Sequence, residues 1–173
     1  MTSVPLSNAP TPVDTLLDIL HGSWKTQALG AAAELRIADH LAAGHVDIAR
    51  LAGACECEAD ALRRLLRALA SLGLCTEHED GSFALTALGD CLRTDSPSSI
   101  RAWILWWSQH LLPVWAELPQ SVRSGREVRS LVTGNAGFTS LTQSPDTAAL
   151  FNTAMTELTR LVAARGAQDY PFP

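Results

Sequence analysis

The sequence predicts a mainly α fold: a helical domain with an embedded winged helix-turn-helix and one short β-hairpin. Three observations carry that expectation. Residues 58–72 place Leu62, Leu65, Leu66, Leu69 and Leu72 on one stripe, the spacing of an amphipathic helix. Directly after it, residues 74–77 and 82–85 form two short runs joined through Glu79-Asp80-Gly81, and Asp-Gly between short strands is a strong hairpin signal. On both sides of this unit the apolar residues recur with helical spacing.

In chain order, residues 1–12 are rich in Pro, Ser, Thr and Asn. They cannot bury enough apolar surface to offset ordering, so a disordered tail is expected. Residues 13–43 are expected to be helical, with Val13, Leu16, Leu17, Leu20 and Trp24 in period and Gly22-Ser23 as a break or cap between two helices. Ala28, Ala31, Ala32 and Leu35 give a small-residue face suited to a close helix–helix contact, within one chain or between two. Gly44 is the expected stop. Residues 47–53 make a short helix capped by Asp47, and residues 54–57 turn the chain into the helix over 58–72. Glu58 and Asp60 sit in its first turn, where the helix dipole favours acids, and Gly73 ends it. Thr86 caps a further turn of helix over residues 87–93.

Residues 94–99 lead to a helix over 100–112, with Ile100, Trp103, Ile104, Trp107 and Leu111 as its packing stripe. Trp106 lies off that stripe, which makes it a candidate wall for a flat aromatic ligand. Pro113 suits the first position of a helix to residue 124, ended by Gly125, and residues 126–135 read as a loop. Residues 137–142 read as a short helix carrying Phe138 and Leu141. Ser144-Pro145-Asp146 opens a long helix to about residue 165, with Gly166 as its stop. Leu150, Phe151, Ala154, Met155, Leu158, Leu161 and Val162 cover more than one of its faces.

Composition narrows the function classes. A chain of 173 residues with 47% hydrophobic content fits one domain with a real core. The net charge of −5 weighs against a nucleic-acid partner, since such affinity comes from neutralising phosphates. No apolar run approaches the roughly 18 residues that span a bilayer; the longest candidate, residues 103–107, is far too short. No signal peptide is visible, so no membrane association and a cytoplasmic location are expected. Cys55, Cys57, Cys75 and Cys91 are expected as free thiols. Some winged-helix metal sensors use a C-x-C pair such as Cys55 and Cys57, but no Cys or His follows at zinc-finger spacing, and no metal site is expected. His21, His40 and His45 have no acid, serine or cysteine partner at a convincing spacing and read as structural. Arg63, Arg64 and Arg67 would face DNA in a winged-helix regulator. The acids Glu58 and Asp60 on the same helix and the acidic wing loop of Glu79 and Asp80 oppose that reading.

Several stretches together carry a family resemblance. They are ALRRLLRALASLGL over residues 61–74, FALTALGDCLRTDSPSS over 83–99, the Trp-containing helix, SVRSGR, Phe138-Thr139 and FNTAMTEL in the last helix. The region from residue 13 to about 165 resembles the N-terminal part of bacterial S-adenosylmethionine-dependent O-methyltransferases that act on natural products, relatives of the caffeate-type enzymes. The resemblance implies a winged-helix dimerisation and substrate-lid domain over residues 13–165. Residues 166–173 would lead toward a Rossmann-like catalytic domain that is absent from this chain. It implies a homodimer through the N-terminal helices, a small aromatic hydroxyl substrate and S-adenosylmethionine as cofactor of the full-length parent. No G-x-G-x-x-G occurs, so no cofactor-binding and no catalytic residue is assigned to this segment. The candidate substrate-facing residues are Trp106, Phe138, Phe151, Asn152 and Met155, with Phe151 and Met155 one turn apart and Asn152 as a polar handle. The competing expectation is a DNA-binding regulator acting through Arg63, Arg64 and Arg67.

Overall fold

A computed structural model describes residues 10–134, 141 and 144–169 of the chain. Helix α1 (Pro12–Glu34) opens with a reciprocal cap: the Thr11 hydroxyl accepts from the Asp14 N–H, and the Asp14 carboxylate accepts from the Thr11 N–H. The helix runs through Gly22-Ser23 without interruption, against the break expected there. One glycine costs a helix about 1 kcal/mol, too little to stop twenty-three residues of otherwise helical sequence. The break comes instead at Arg36, which adopts a left-handed φ of 53° and starts helix α2 (Ile37–Ala42) in a new direction.

The winged helix-turn-helix follows as expected. Helix α3 (Ile48–Ala54) is capped by Asp47, which accepts from the Arg50 N–H at 2.9 Å. Helix α4 (Ala59–Ser71) is capped by Glu58, which accepts from the N–H groups of Asp60 and Ala61. Strands β1 (Cys75–Glu77) and β2 (Phe83–Leu85) pair antiparallel, with Thr76 opposite Ala84. The Phe83 N–H also donates to the Val46 carbonyl at 2.9 Å, which pins the wing to the segment before α3. Helix α5 (Ala87–Asp90) is capped by Thr86, whose hydroxyl also donates to the Gly73 carbonyl at 2.6 Å. Gly89 packs so tightly on the Leu74 carbonyl that a Cβ would collide with it. Leu51, Leu66 and Phe83 are fully buried, and Ile37, Leu41, Leu62 and Leu69 complete the core around them.

The second half departs further from expectation. The helix over residues 100–112 is two elements: helix α6 (Arg101–Trp106) and a π-helical turn (Trp107–Leu111), where the Leu112 N–H reaches back to the Trp107 carbonyl. Pro113 has no N–H to offer the carbonyl four residues earlier and its ring crowds that carbonyl, so the wider turn just ahead of it is a physical accommodation. Helices α7 (Leu112–Trp115) and α8 (Leu118–Ser124) replace the single helix expected after Pro113. Helix α9 (Val128–Thr133) occupies the stretch expected to be a loop. Helix α10 (Pro145–Asp169) starts at Ser144, whose hydroxyl accepts from the Thr147 N–H, and it continues past Gly166 instead of stopping there. Of the expected helix over residues 137–142 only Leu141 is described, and of the expected tail over residues 1–12 only the last three, where Thr11 caps α1 and Pro12 begins it instead of belonging to a tail.

Candidate functional site

Helix α6 is the element that both long helices grip. Its own first residue offers no side-chain cap. Glu157 of α10 supplies one: its buried carboxylate accepts from the N–H groups of Ala102 at 3.2 Å and Trp103 at 3.0 Å. Ser99 donates to the same carboxylate, and Arg160 donates to the Ser99 carbonyl at 2.9 Å. These bonds answer the orphan donors that every helix start leaves open. On the opposite side the Arg101 guanidinium donates to the Ala33 carbonyl at the C-terminal end of α1. Further along, Gly30 of α1 lies against Ser108 so closely that a Cβ there would sit 2.6 Å from the serine Cβ.

Gripped from both sides, α6 buries both of its faces, and this overturns the single stripe read from the sequence. Trp106, expected off the packing stripe, is only 3% exposed, while Trp103 and Trp107 are half-buried. Trp106 is the floor of an aromatic cluster and not a wall. The Phe151 ring meets it edge-on with centroids 5.0 Å apart, and the His110 ring stacks on it at 4.5 Å and 27°. Met155 and Leu111 pack beside these rings over the fully buried Ala154. Trp103 and Trp107 form their own edge-to-face pair at 5.7 Å.

Of the five candidate residues, Trp106, Phe151 and Met155 therefore meet in one cluster. Asn152 is exposed and joins Met155 in lining a hollow of about 590 Å³ with Thr156, Thr159 and Arg160. Met155 belongs to both surfaces. Phe138 lies outside the described residues. Sequence reasoning passed over two residues that shape this region. Glu157 stands three positions after Ala154, an acid on the buried side of α10, which was the available signal. His110 stands four residues after Trp106, the spacing of neighbours on a helix, and that was its signal. Burial and, secondarily, the nearby Arg129 charge push the His110 pKa below its ordinary 6.5.

What converges here is rings, a thioether and a carboxamide, which suits holding a flat apolar molecule. Among the described residues no group of His, Cys, Asp and Glu is placed to hold a metal. Burial and the neighbouring Cys57 push the Cys55 thiol up to about 11, and burial does the same to Cys75. Arg67, one of the three arginines of the regulator reading, forks onto Glu77 of the wing with three hydrogen bonds of 2.9–3.2 Å.

A winged helix packed beside α1, with α6 held between α1 and α10, defines a helical scaffold of the dimerisation-domain class. Residues 17–95 match the O-methyltransferase dimerisation domain. It is 34% identical over 98% of its length to phenazine O-methyltransferase PhzM of Lysobacter antibioticus, covering 48% of that protein. The solved structure of LaPhzM superposes with a TM-score of 0.85 at 32% identity, over 94% of this chain and 49% of that one. An O-methyltransferase from neocarzinostatin biosynthesis (NcsB1), solved with S-adenosylmethionine and 2-hydroxy-5-methyl naphthoic acid, superposes with a TM-score of 0.70. It shares 34% identity over 79% of this chain and 43% of that one. The chain thus spans about half the length of the relatives it matches. Nothing in these comparisons supports a DNA-binding regulator.

Proposed function

We propose that this chain is the dimerisation and substrate-covering part of an S-adenosylmethionine-dependent O-methyltransferase that acts in the cytoplasm on the hydroxyl of a small aromatic natural product. The matched dimerisation domain and the methyltransferase relatives support the reaction class. Residues 13–165 would form the dimerising and covering domain, whose first helix takes in Pro12 behind its Thr11 cap and whose last helix runs on to Asp169. Trp106, Phe151, Met155, Asn152 and Phe138 would line the side of the substrate that this domain covers. No helix among the described residues is long and apolar enough to cross a membrane.

The cofactor would be held elsewhere in the parent. Among the described residues β1 turns back into the hairpin and β2 runs into the Thr86-capped turn. Neither strand opens a glycine-rich loop, so these residues do not fit the adenosyl group.

The observation that carries the homodimer is the N-terminal half of α1. Val13 is 63% exposed, Leu16 67%, Ile19 71% and Leu20 66%, an apolar surface that a lone protomer leaves in water. A second copy would cover it, in an interface above about 1,000 Å². Light scattering at micromolar concentration should give twice the chain mass, and Leu16→Asp with Leu20→Asp should give a folded monomer. A native chain that stays monomeric under those conditions would refute the reading.

A further inference from the structure

We propose that Cys55 and Cys57 form a site of reversible oxidation, closing to a disulfide across the turn between α3 and α4 when the chain meets a peroxide. The inference is independent of the reading that the aromatic cluster covers a substrate.

Three observations bring the pair together. First, the backbone between them is tightly folded. Glu56 takes a left-handed φ of 53°, uncommon for a residue with a side chain, and the Cys57 N–H reaches back to the Ala52 carbonyl at 2.9 Å. A left-handed residue mirrors helical geometry, so the Cα atoms on either side of it stand about 5.4 Å apart. A disulfide needs roughly 4.4–6.8 Å. Second, the Cys57 thiol turns back along the chain and donates to the Cys55 carbonyl at 3.2 Å. The Cys55 sulfur is only four bonds from that oxygen, so rotation about the Cα–Cβ bonds is what remains to bring sulfur to sulfur. Third, the two thiols differ in access. Cys57 is half-buried and open to a small oxidant, whereas Cys55 is buried in the core. Burial first, and the neighbouring Cys57 second, push the Cys55 thiol up to about 11, so it stays protonated at neutral pH and enters as the second, resolving thiol.

The chemistry balances with one peroxide. The Cys57 thiolate attacks it: an S–O bond forms, the O–O bond breaks, and the departing hydroxide takes up the thiol's proton and leaves as water. The Cys55 sulfur then attacks the sulfenic acid. The S–S bond forms, the S–O bond breaks, and hydroxide carries off the Cys55 proton as a second water. The bridge ties the C-cap residue of α3 to the residue before the Glu58 cap of α4, so oxidation stiffens the turn of the winged unit. A ring this small is strained, and strained disulfides are the ones that thiols readily reduce.

The test is brief treatment of the chain with hydrogen peroxide, alkylation of the remaining thiols and peptide mapping by mass spectrometry. The peptide that holds Cys55 and Cys57 should lose the mass of two hydrogens, resist alkylation and regain both thiols with dithiothreitol. Cys91 is half-buried too but has no cysteine within two positions, so it is the internal control and should be oxidised severalfold more slowly. Cys55→Ser should leave Cys57 as a sulfenic acid that dimedone traps, and Cys57→Ser should leave Cys55 open to alkylation. The native peptide map needs neither variant to fold. Cys57 passing to sulfinic acid while Cys55 stays a thiol, a bridge between two chains, or oxidation of Cys91 at the same rate would overturn the site.

Discussion

Replacing Glu157 by alanine would strand two N–H groups at the start of α6, the buried one of Ala102 and the half-buried one of Trp103. Leaving a buried donor unpaired costs about 1–3 kcal/mol. Glu157→Ala should therefore lower unfolding free energy by at least that amount in urea titrations, and Glu157→Gln, which keeps an acceptor oxygen, by less. A Glu157→Ala protein as stable as the native one would mean the carboxylate is not the cap. His110 gives a second residue-scale prediction, through pH. Its folded-state pKa lies below 6.5, first through burial and then through Arg129. As pH falls through 6.5 the unfolded chain takes the proton first, so this group's contribution to stability is present above that pH and lost below it. The loss levels off once the folded-state pKa is passed. Thermal melts between pH 8 and pH 5 should show a decline at the acid end that His110→Phe makes shallower. Parallel profiles for the two proteins would remove the effect.

At the scale of elements, the two glycines of α1 separate packing from propensity. A Cβ on Gly22 meets nothing within 4 Å, whereas one on Gly30 would collide with Ser108. Gly22→Ala should stabilise the chain by about 0.5–1 kcal/mol, the helix preference of alanine. Gly30→Ala should destabilise it by about 1–3 kcal/mol, the cost of overpacking a tight contact. Melting temperatures that move together would contradict the crossing of α1 with the π turn. These elements also show how far the sequence could be read. The winged unit was legible because its signals are local: Asp47, Glu58 and Thr86 cap helices, and Gly73 and Gly81 take the positive φ that their turns need. The break at Arg36 was not, since arginine carries no turn signal and takes up a left-handed φ under tertiary constraint. The role of Trp106 was misread for a different reason. Periodicity finds one buried face, and α6 has two because α1 and α10 both pack on it. The stack of His110 on Trp106 joins residues four apart, a spacing the sequence already showed. The pairing of Phe151 with Met155 was legible, being one helical turn apart on α10.

For the whole molecule, the winged helix is a hub with its core between α1, α2 and α4, and the aromatic cluster lies on the far side of α6. The charge pattern suits that scaffold role. Arg67 is spent on Glu77, and Arg93 on Asp90 and Asp95, so these cations serve the fold's own acids. The apolar end of α1 is left exposed. If a second copy covers it, stability becomes a matter of mass action, because a partner that binds only the folded form raises the melting temperature with its concentration. Calorimetric scans over a hundredfold dilution should show the midpoint falling with each step, and the Leu16→Asp, Leu20→Asp protein should show a constant one. The same bare helix end then sets a rule for supply in the cell. Each newly made chain carries a sticky surface until it meets its twin, so halving the synthesis rate would cost more than half of the assembled protein.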